Sequence, residues 1–170
     1  VHITGDAAGA YPRELGLKKF IRHLVLSGDT LFVVNEIETE TPRQLELRYF
    51  PEDQLWERRE DGIIVFGDSM RMVYRPAGAG TQGTAELVSC YPGRGNISRG
   101  KTGDPEQRLV IRERYRGSRW FTAAAFRWCP AGKNPEPPEI QEEDGAFLLS
   151  CGGGQIRINR TESGGQEEEK

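Results

Sequence analysis

The sequence is short of most residues that announce a function. It has two histidines, His2 and His23, in 170 residues. That is too few for most histidine-based catalytic sites. A zinc site built from both and one cysteine has no recognised spacing, so we expect no metal and no other cofactor. The three cysteines, Cys90, Cys129 and Cys151, are too few and too scattered for a disulfide scaffold. One pair can bond in an oxidising compartment, but we read all three as half-buried small apolar side chains. No apolar run approaches the ~20 residues of a membrane-spanning helix. Charge of one sign is also missing: 23 basic and 26 acidic side chains leave a net charge of -3. Such a chain has no overall field for nucleic acid or an anionic membrane, and we expect neither as a partner. No convincing amphipathic helix appears. No repeat of fixed period appears either, which argues against a propeller or solenoid.

Strands are what the sequence does hold. Apolar residues are 36% and charged residues 29% of the chain, so the core must come from short alternating segments. Phe20 to Leu26 and Thr30 to Ile37 form a hairpin around Ser27-Gly28-Asp29, a turn of residues that bend a chain cheaply. The second run is apolar on both sides, as in a strand covered on both faces. We place this hairpin at the centre of the domain. Residues 5–19 read as mostly irregular, and Glu38 to Arg43 as a polar turn containing Pro42. Gln44 to Phe50 alternates again. Leu55 to Phe66 reads as a hairpin with an Asp61-Gly62 turn. Ser69 to Arg75 and Ala85 to Tyr91 are further strands. Arg108 to Arg116 and Arg119 to Trp128 read as a second strong hairpin turning at Gly117-Ser118. Alanines 123–125 favour helix in isolation, but the flanking aromatics favour strand. Residues 139–151 form a hairpin turning at Asp144-Gly145, and 155–159 a last strand. The expected fold is all-β: two stacked antiparallel sheets, sandwich or supersandwich-like, with little or no helix. Residues 1–160 form the domain, and 161–170 a polar, acidic, frayed tail.

The best binding candidate is the strand face of Arg112, Arg114 and Arg116. Guanidiniums about 7 Å apart along one face match sulfates or uronate carboxylates of an acidic glycan. Arg94, Arg99 and Lys101, on the loop from Pro92 to Pro105, extend it if that loop folds nearby. The plainer reading is a solvated face with cross-strand ion pairs worth little each. Gly100-Lys101-Thr102 matches the end of a nucleotide-binding loop, but with Asn96 we read the Gly-x4-Gly-Lys-Thr spacing as lacking, no helix is expected to follow, and we dismiss it. Asn96-Ile97-Ser98 and Asn159-Arg160-Thr161 match glycosylation acceptors, which matter only in a eukaryotic secretory setting. Trp120 and Trp128 read as core residues before sugar-stacking ones. His23 alternates with Ile21 and Val25 and reads as a satisfied sandwich histidine.

The opening stretch carries a family resemblance. Thr4-Gly5-Asp6-Ala7 is followed by Tyr11, then by the basic strand Phe20-Ile21-Arg22-His23, then by Leu31 to Ile37. In this order they resemble the C-terminal part of the heparinase II/III family of polysaccharide lyases. Asn35-Glu36-Ile37 stands where that family often has an Asp-Arg-Val-like triplet. The resemblance implies a fragment of a larger enzyme that cleaves acidic polysaccharides by β-elimination, in the periplasm or outside the cell. The family's catalytic and metal-binding residues would lie before Val1. No catalytic role therefore passes to Tyr11, which we read as a loop anchor, or to Asp6, which we read as a turn acceptor. The implied partners are the N-terminal catalytic part of the same protein and an acidic polysaccharide. An independent carbohydrate-binding or protein-interaction sandwich is the alternative.

Overall fold

The computed structural model describes residues 1–52, 55–78, 83–90, 106–151 and 153–161. Their strands are β1 His2–Asp6, β2 Leu17–Ser27, β3 Thr30–Tyr49, β4 Leu55–Arg59, β5 Gly62–Phe66 and β6 Met70–Ala77. β7 Gly83–Cys90, β8 Glu106–Pro130, β9 Glu139–Glu143, β10 Ala146–Cys151 and β11 Gly154–Asn159 follow. The fold is all-β and antiparallel. A large sheet runs β1-β2-β3-β8-β6-β5-β4, with β7 also paired to β8, and a small sheet runs β11-β10-β9. The segment expected to be irregular is more ordered than its small residues suggested. β1 reaches Asp6, 3₁₀ turns occupy Ala8–Ala10 and Arg13–Leu15, and β2 begins at Leu17.

Two long strands replace what the sequence divides into four. β3 has 20 residues and β8 has 25. Neither the polar turn at Glu38 to Arg43 nor the hairpin turn at Gly117-Ser118 exists. Glu38 faces Arg119 and Arg43 faces Gly117, so residues 39–42 stand opposite Ser118 alone. This is a large bulge. Gly117 sits at φ +146°, and the inward alternation changes phase across it. Leu109, Ile111, Glu113 and Tyr115 are buried before it, and Trp120, Thr122, Ala124 and Phe126 after it. The glycine and the polar run mark a shift of phase within a continuous pair, not a reversal of the chain.

The bulge lets the sheet fold back on itself. The ring of Tyr49 lies 4.9 Å from that of Phe126, edge-on, and Phe126 pairs with Leu31. A straight strand would hold Leu31 and Tyr49 about 60 Å apart. Between the two arms lie Val33, Ile63, Val65, Tyr74, Leu109 and Ile111, with Ala124 and Phe126. Ile37, Leu47, Tyr115 and Trp120 fill the bend. The small sheet covers the outer face of the larger arm, where Phe32 and Val34 meet Phe147, Leu149 and Ile158. The result is three stacked layers with a core in each of the two gaps and a third cluster at the bend. Ala124 faces one core, and Ala123 and Ala125 the other. Their small side chains leave room for Tyr74, Phe32 and Phe147, which explains an alanine run in a central strand. Burying one such large side chain contributes about 1.5–3 kcal/mol, against ~0–1 for a surface ion pair, so the apolar clusters hold the layers together.

The turns follow local chemistry. Gly28-Asp29 joins β2 to β3, with Gly28 at φ +57°. Asp144 and Gly145 join β9 to β10, both at positive φ, as a two-residue type I′ turn requires. The β4–β5 turn is Glu60-Asp61, one residue earlier than expected, because Gly62 already pairs with Arg59. A Cβ on Gly62 would meet the Tyr74 carbonyl oxygen at 2.3 Å, so that glycine serves a close backbone approach. Thr161 is not frayed. Its N–H and hydroxyl donate to Glu36 Oε1 at 3.0 and 2.9 Å. Residues 162–170 lie outside the described residues.

Candidate functional site: an arginine groove

The structure divides the predicted arginine face. Arg112 is mostly buried and faces two carboxylates, Glu86 at 2.5 Å and Glu46 at 3.7 Å. Arg114 donates to Glu46 Oε2 at 2.9 Å and keeps half its side chain in water. The Arg114 hydrogen bond, with help from Arg48, holds the Glu46 carboxyl below its ordinary range. Arg116 is exposed and has no carboxylate partner among the described residues. Arg94, Arg99 and Lys101 lie outside the described residues.

Beyond the bulge, β8 turns a second set of side chains to the same outer side. Arg114, Arg116, Arg119 and Arg160 line a groove of about 410 Å³ with Trp120, Phe121 and Glu142. Arg119 pairs with Glu38 at 3.3 Å. Arg160, just beyond β11, is exposed and, among the described residues, has no side-chain partner. Four arginines against one lining glutamate make this a cationic groove. Sequence reasoning found Arg114 and Arg116 but missed Arg119 and Arg160. Strict alternation puts Arg116 and Arg119 on opposite faces; the phase shift at Gly117 cancels that. Arg160 arrives through the packing of the small sheet, which no local signal reports.

Trp120 is 7% exposed and belongs to the bend core. Its Nε1 is buried without a hydrogen-bond partner among the described residues. Trp128 is partly buried against the inter-arm core. Phe121 packs on Phe147, ring centroids 4.5 Å apart. The groove therefore has an aromatic floor packed into the cores beneath it. A second concavity of about 470 Å³ opens beside the bend, lined by Tyr11, Leu15, Phe20, Leu45 and Trp120 with Arg22 and Arg43. It is chiefly apolar.

The residues of the opening motif shape the loop. Asp6 Oδ1 accepts the Ala8 N–H at 2.9 Å, as a turn aspartate does. Tyr11 packs on Phe20 at 5.7 Å and is nearly half exposed. Gly95 to Thr102 does carry the complete Gly-x4-Gly-Lys-Thr spacing of a nucleotide loop. It lies between β7 and β8, which pair antiparallel, and the first described element after it is a strand, not the helix whose N-terminus receives the phosphate in such a loop. That segment lies outside the described residues.

Two buried carboxylates lie away from the groove. Glu113, between the arms, accepts hydrogen bonds from Tyr74 Oη and, at 2.7 Å, from Tyr115 Oη. Burial pushes its carboxyl above the ordinary value, against the opposing pull of the two phenols and Arg22. Glu36 faces the small sheet. Burial alone would raise it, but Lys19, 2.6 Å away, and Thr161 outweigh burial and hold it below its ordinary value. His23 is nearby, its Nε2 3.9 Å from Glu36 Oε1, too far for a hydrogen bond. Burial lowers its pKa, with Glu36 opposing. The expected satisfied histidine is satisfied only at Nδ1; Nε2 is buried without a partner among the described residues. Cys129 is half-buried and a free thiol; the side chains of Cys90 and Cys151 lie outside the described set. Comparison with protein-family models and with curated proteins finds no match to this chain.

Proposed function

We propose that this chain is a non-catalytic β module of a polysaccharide lyase similar to the heparinase II/III family, and that it holds an acidic polysaccharide in the arginine groove. The observation that carries the reading is the pair Arg116 and Arg160, exposed and, among the described residues, without a carboxylate partner on the rim of a groove with an aromatic floor. A guanidinium presents a planar fork that matches sulfate or carboxylate in two hydrogen bonds at once. Arg114 and Arg119 are each shared with one glutamate and can turn to an anion at little cost, since exposed ion pairs are weak.

β-Elimination needs a group to neutralise the uronate carboxylate, a base for the adjacent proton and an acid for the leaving oxygen. In this reading an upstream module supplies all three, and the groove forms one wall of the glycan cleft. The apolar concavity beside the bend, with half-exposed Tyr11 and Leu15 at its edge, is the face assigned to that module.

The test is a calorimetric titration of the chain with sulfated, uronate-rich and neutral oligosaccharides, at low and physiological salt. Ultraviolet absorbance follows any unsaturated product. Binding of the acidic sugars alone, weakened by salt and without product, is expected. Equal affinity for neutral glucans, or formation of unsaturated product, contradicts the reading.

A further inference from the structure

The two histidines, 21 residues apart in sequence, meet at the sheet edge. β1 pairs with β2 so that Thr4 lies opposite His23 and His2 opposite Val25, which puts the three polar side chains on one face. His2 Nε2 and His23 Nδ1 stand 3.3 Å apart. The Thr4 hydroxyl is 3.2 Å from the first nitrogen and 3.0 Å from the second. We propose that His2, His23 and Thr4 form a binding site for a divalent transition-metal ion, with the two imidazoles as its strong ligands.

Geometry carries the inference. Ligands held at ~2.0–2.1 Å around a tetrahedral ion stand about 3.3 Å from one another. The three donor atoms already form a triangle with sides of 3.0–3.3 Å. Without an ion they share hydrogen bonds, and a cation replaces the shared protons without moving the rings far. The ring of His23 is also oriented correctly. Its Nε2 points to the buried Glu36 carboxylate at 3.9 Å, which favours the proton on Nε2 and leaves the Nδ1 lone pair for a metal. His2 and Thr4 are exposed, so ions enter from solvent and water fills the remaining positions.

The donors select the ion. Two imidazoles and one hydroxyl suit zinc, nickel or copper, whereas magnesium and calcium require several oxygens. Among the described residues no cluster of three or more His, Cys, Asp or Glu side chains is placed to hold a metal, so affinity is moderate. Its structural effect falls on β1, an edge strand with all five residues exposed. A bound ion ties that strand to β2.

The test titrates the chain with Zn²⁺ by calorimetry and follows thermal unfolding, with Mg²⁺ as control. One Zn²⁺ per chain and a raised melting temperature are expected, with no response to Mg²⁺. His2→Ala should weaken Zn²⁺ binding by at least about 10-fold, the minimum known for loss of a supporting group at a metal site. Because His2 is exposed, its metal-free melting temperature should stay near that of the parent chain. His23→Gln, checked for its fold by circular dichroism, should show the same loss. No Zn²⁺ binding, or binding unchanged in His2→Ala, overturns the proposal. Binding that persists in folded His23→Gln also overturns it, because it places the metal at the chain end.

Discussion

Tyr74 and Glu113 join the two arms of the folded sheet. Tyr74 belongs to the larger arm and Glu113 to the smaller, and both are fully buried. Tyr74→Phe leaves a buried carboxylate with one donor fewer. We expect a loss of about 1–3 kcal/mol in urea unfolding. The carboxylate also makes stability depend on pH. Its folded pKa lies above the unfolded value, so the folded chain keeps the proton to higher pH. Stability from this group is therefore full below the ordinary glutamate value and falls as pH rises through the raised one. Glu113→Gln should flatten the urea midpoint over that window; an unchanged slope would show that Glu113 is not the source. Gly83, on β7, touches the same tyrosine. A Cβ there would meet the Tyr74 ring at 2.5 Å, so Gly83→Ala should cost about 1–3 kcal/mol through overpacking.

At the scale of elements, the fold turns on the bulge between β3 and β8. Gly117 adopts φ +146°, where other residues are strained. Gly117→Val should cost about 1–3 kcal/mol by urea unfolding. It should also disturb the groove, since Arg116 and Arg119 share a side only through the phase shift. A variant as stable as the parent would mean that the bulge does not need the glycine. This element also marks the limit of what the sequence conveys. The strands on either side were legible, one from the alternation of Leu109 to Tyr115 and the other from the two-sided apolar run Leu31 to Val34. Their continuity was not. A polar run with Pro42 and a Gly-Ser pair has the same composition whether the chain reverses or only slips in phase. The β4–β5 turn shows the same ambiguity: Asp61-Gly62 looks like the turn, but contact with the Tyr74 carbonyl explains the glycine. Asp144-Gly145 was legible because its positive φ values serve the turn itself.

For the whole molecule, three layers built from one bent sheet and one small sheet place residues from distant segments around a single groove. The all-β, two-sheet architecture was readable from strand spacing and turn chemistry. Half of the groove was readable too, because Arg114 and Arg116 alternate on one strand. Arg119 needed the bulge and Arg160 needed the docking of the small sheet. Arg112, equally prominent in the sequence, turned out to be occupied by Glu46 and Glu86. An Arg112→Ala change should therefore affect stability more than binding, and urea unfolding beside a glycan titration separates the two effects.

The most direct measurement is the affinity of the chain for an acidic oligosaccharide before and after Arg116→Ala combined with Arg160→Ala, at one fixed salt concentration. Charge-assisted hydrogen bonds are worth about 1.5 kcal/mol or more each, so the double change should weaken binding by at least about 10-fold. Both residues are exposed and among the described residues lack carboxylate partners, so the melting temperature should hold. An acidic glycan that binds both proteins equally would contradict the arginine groove as its site.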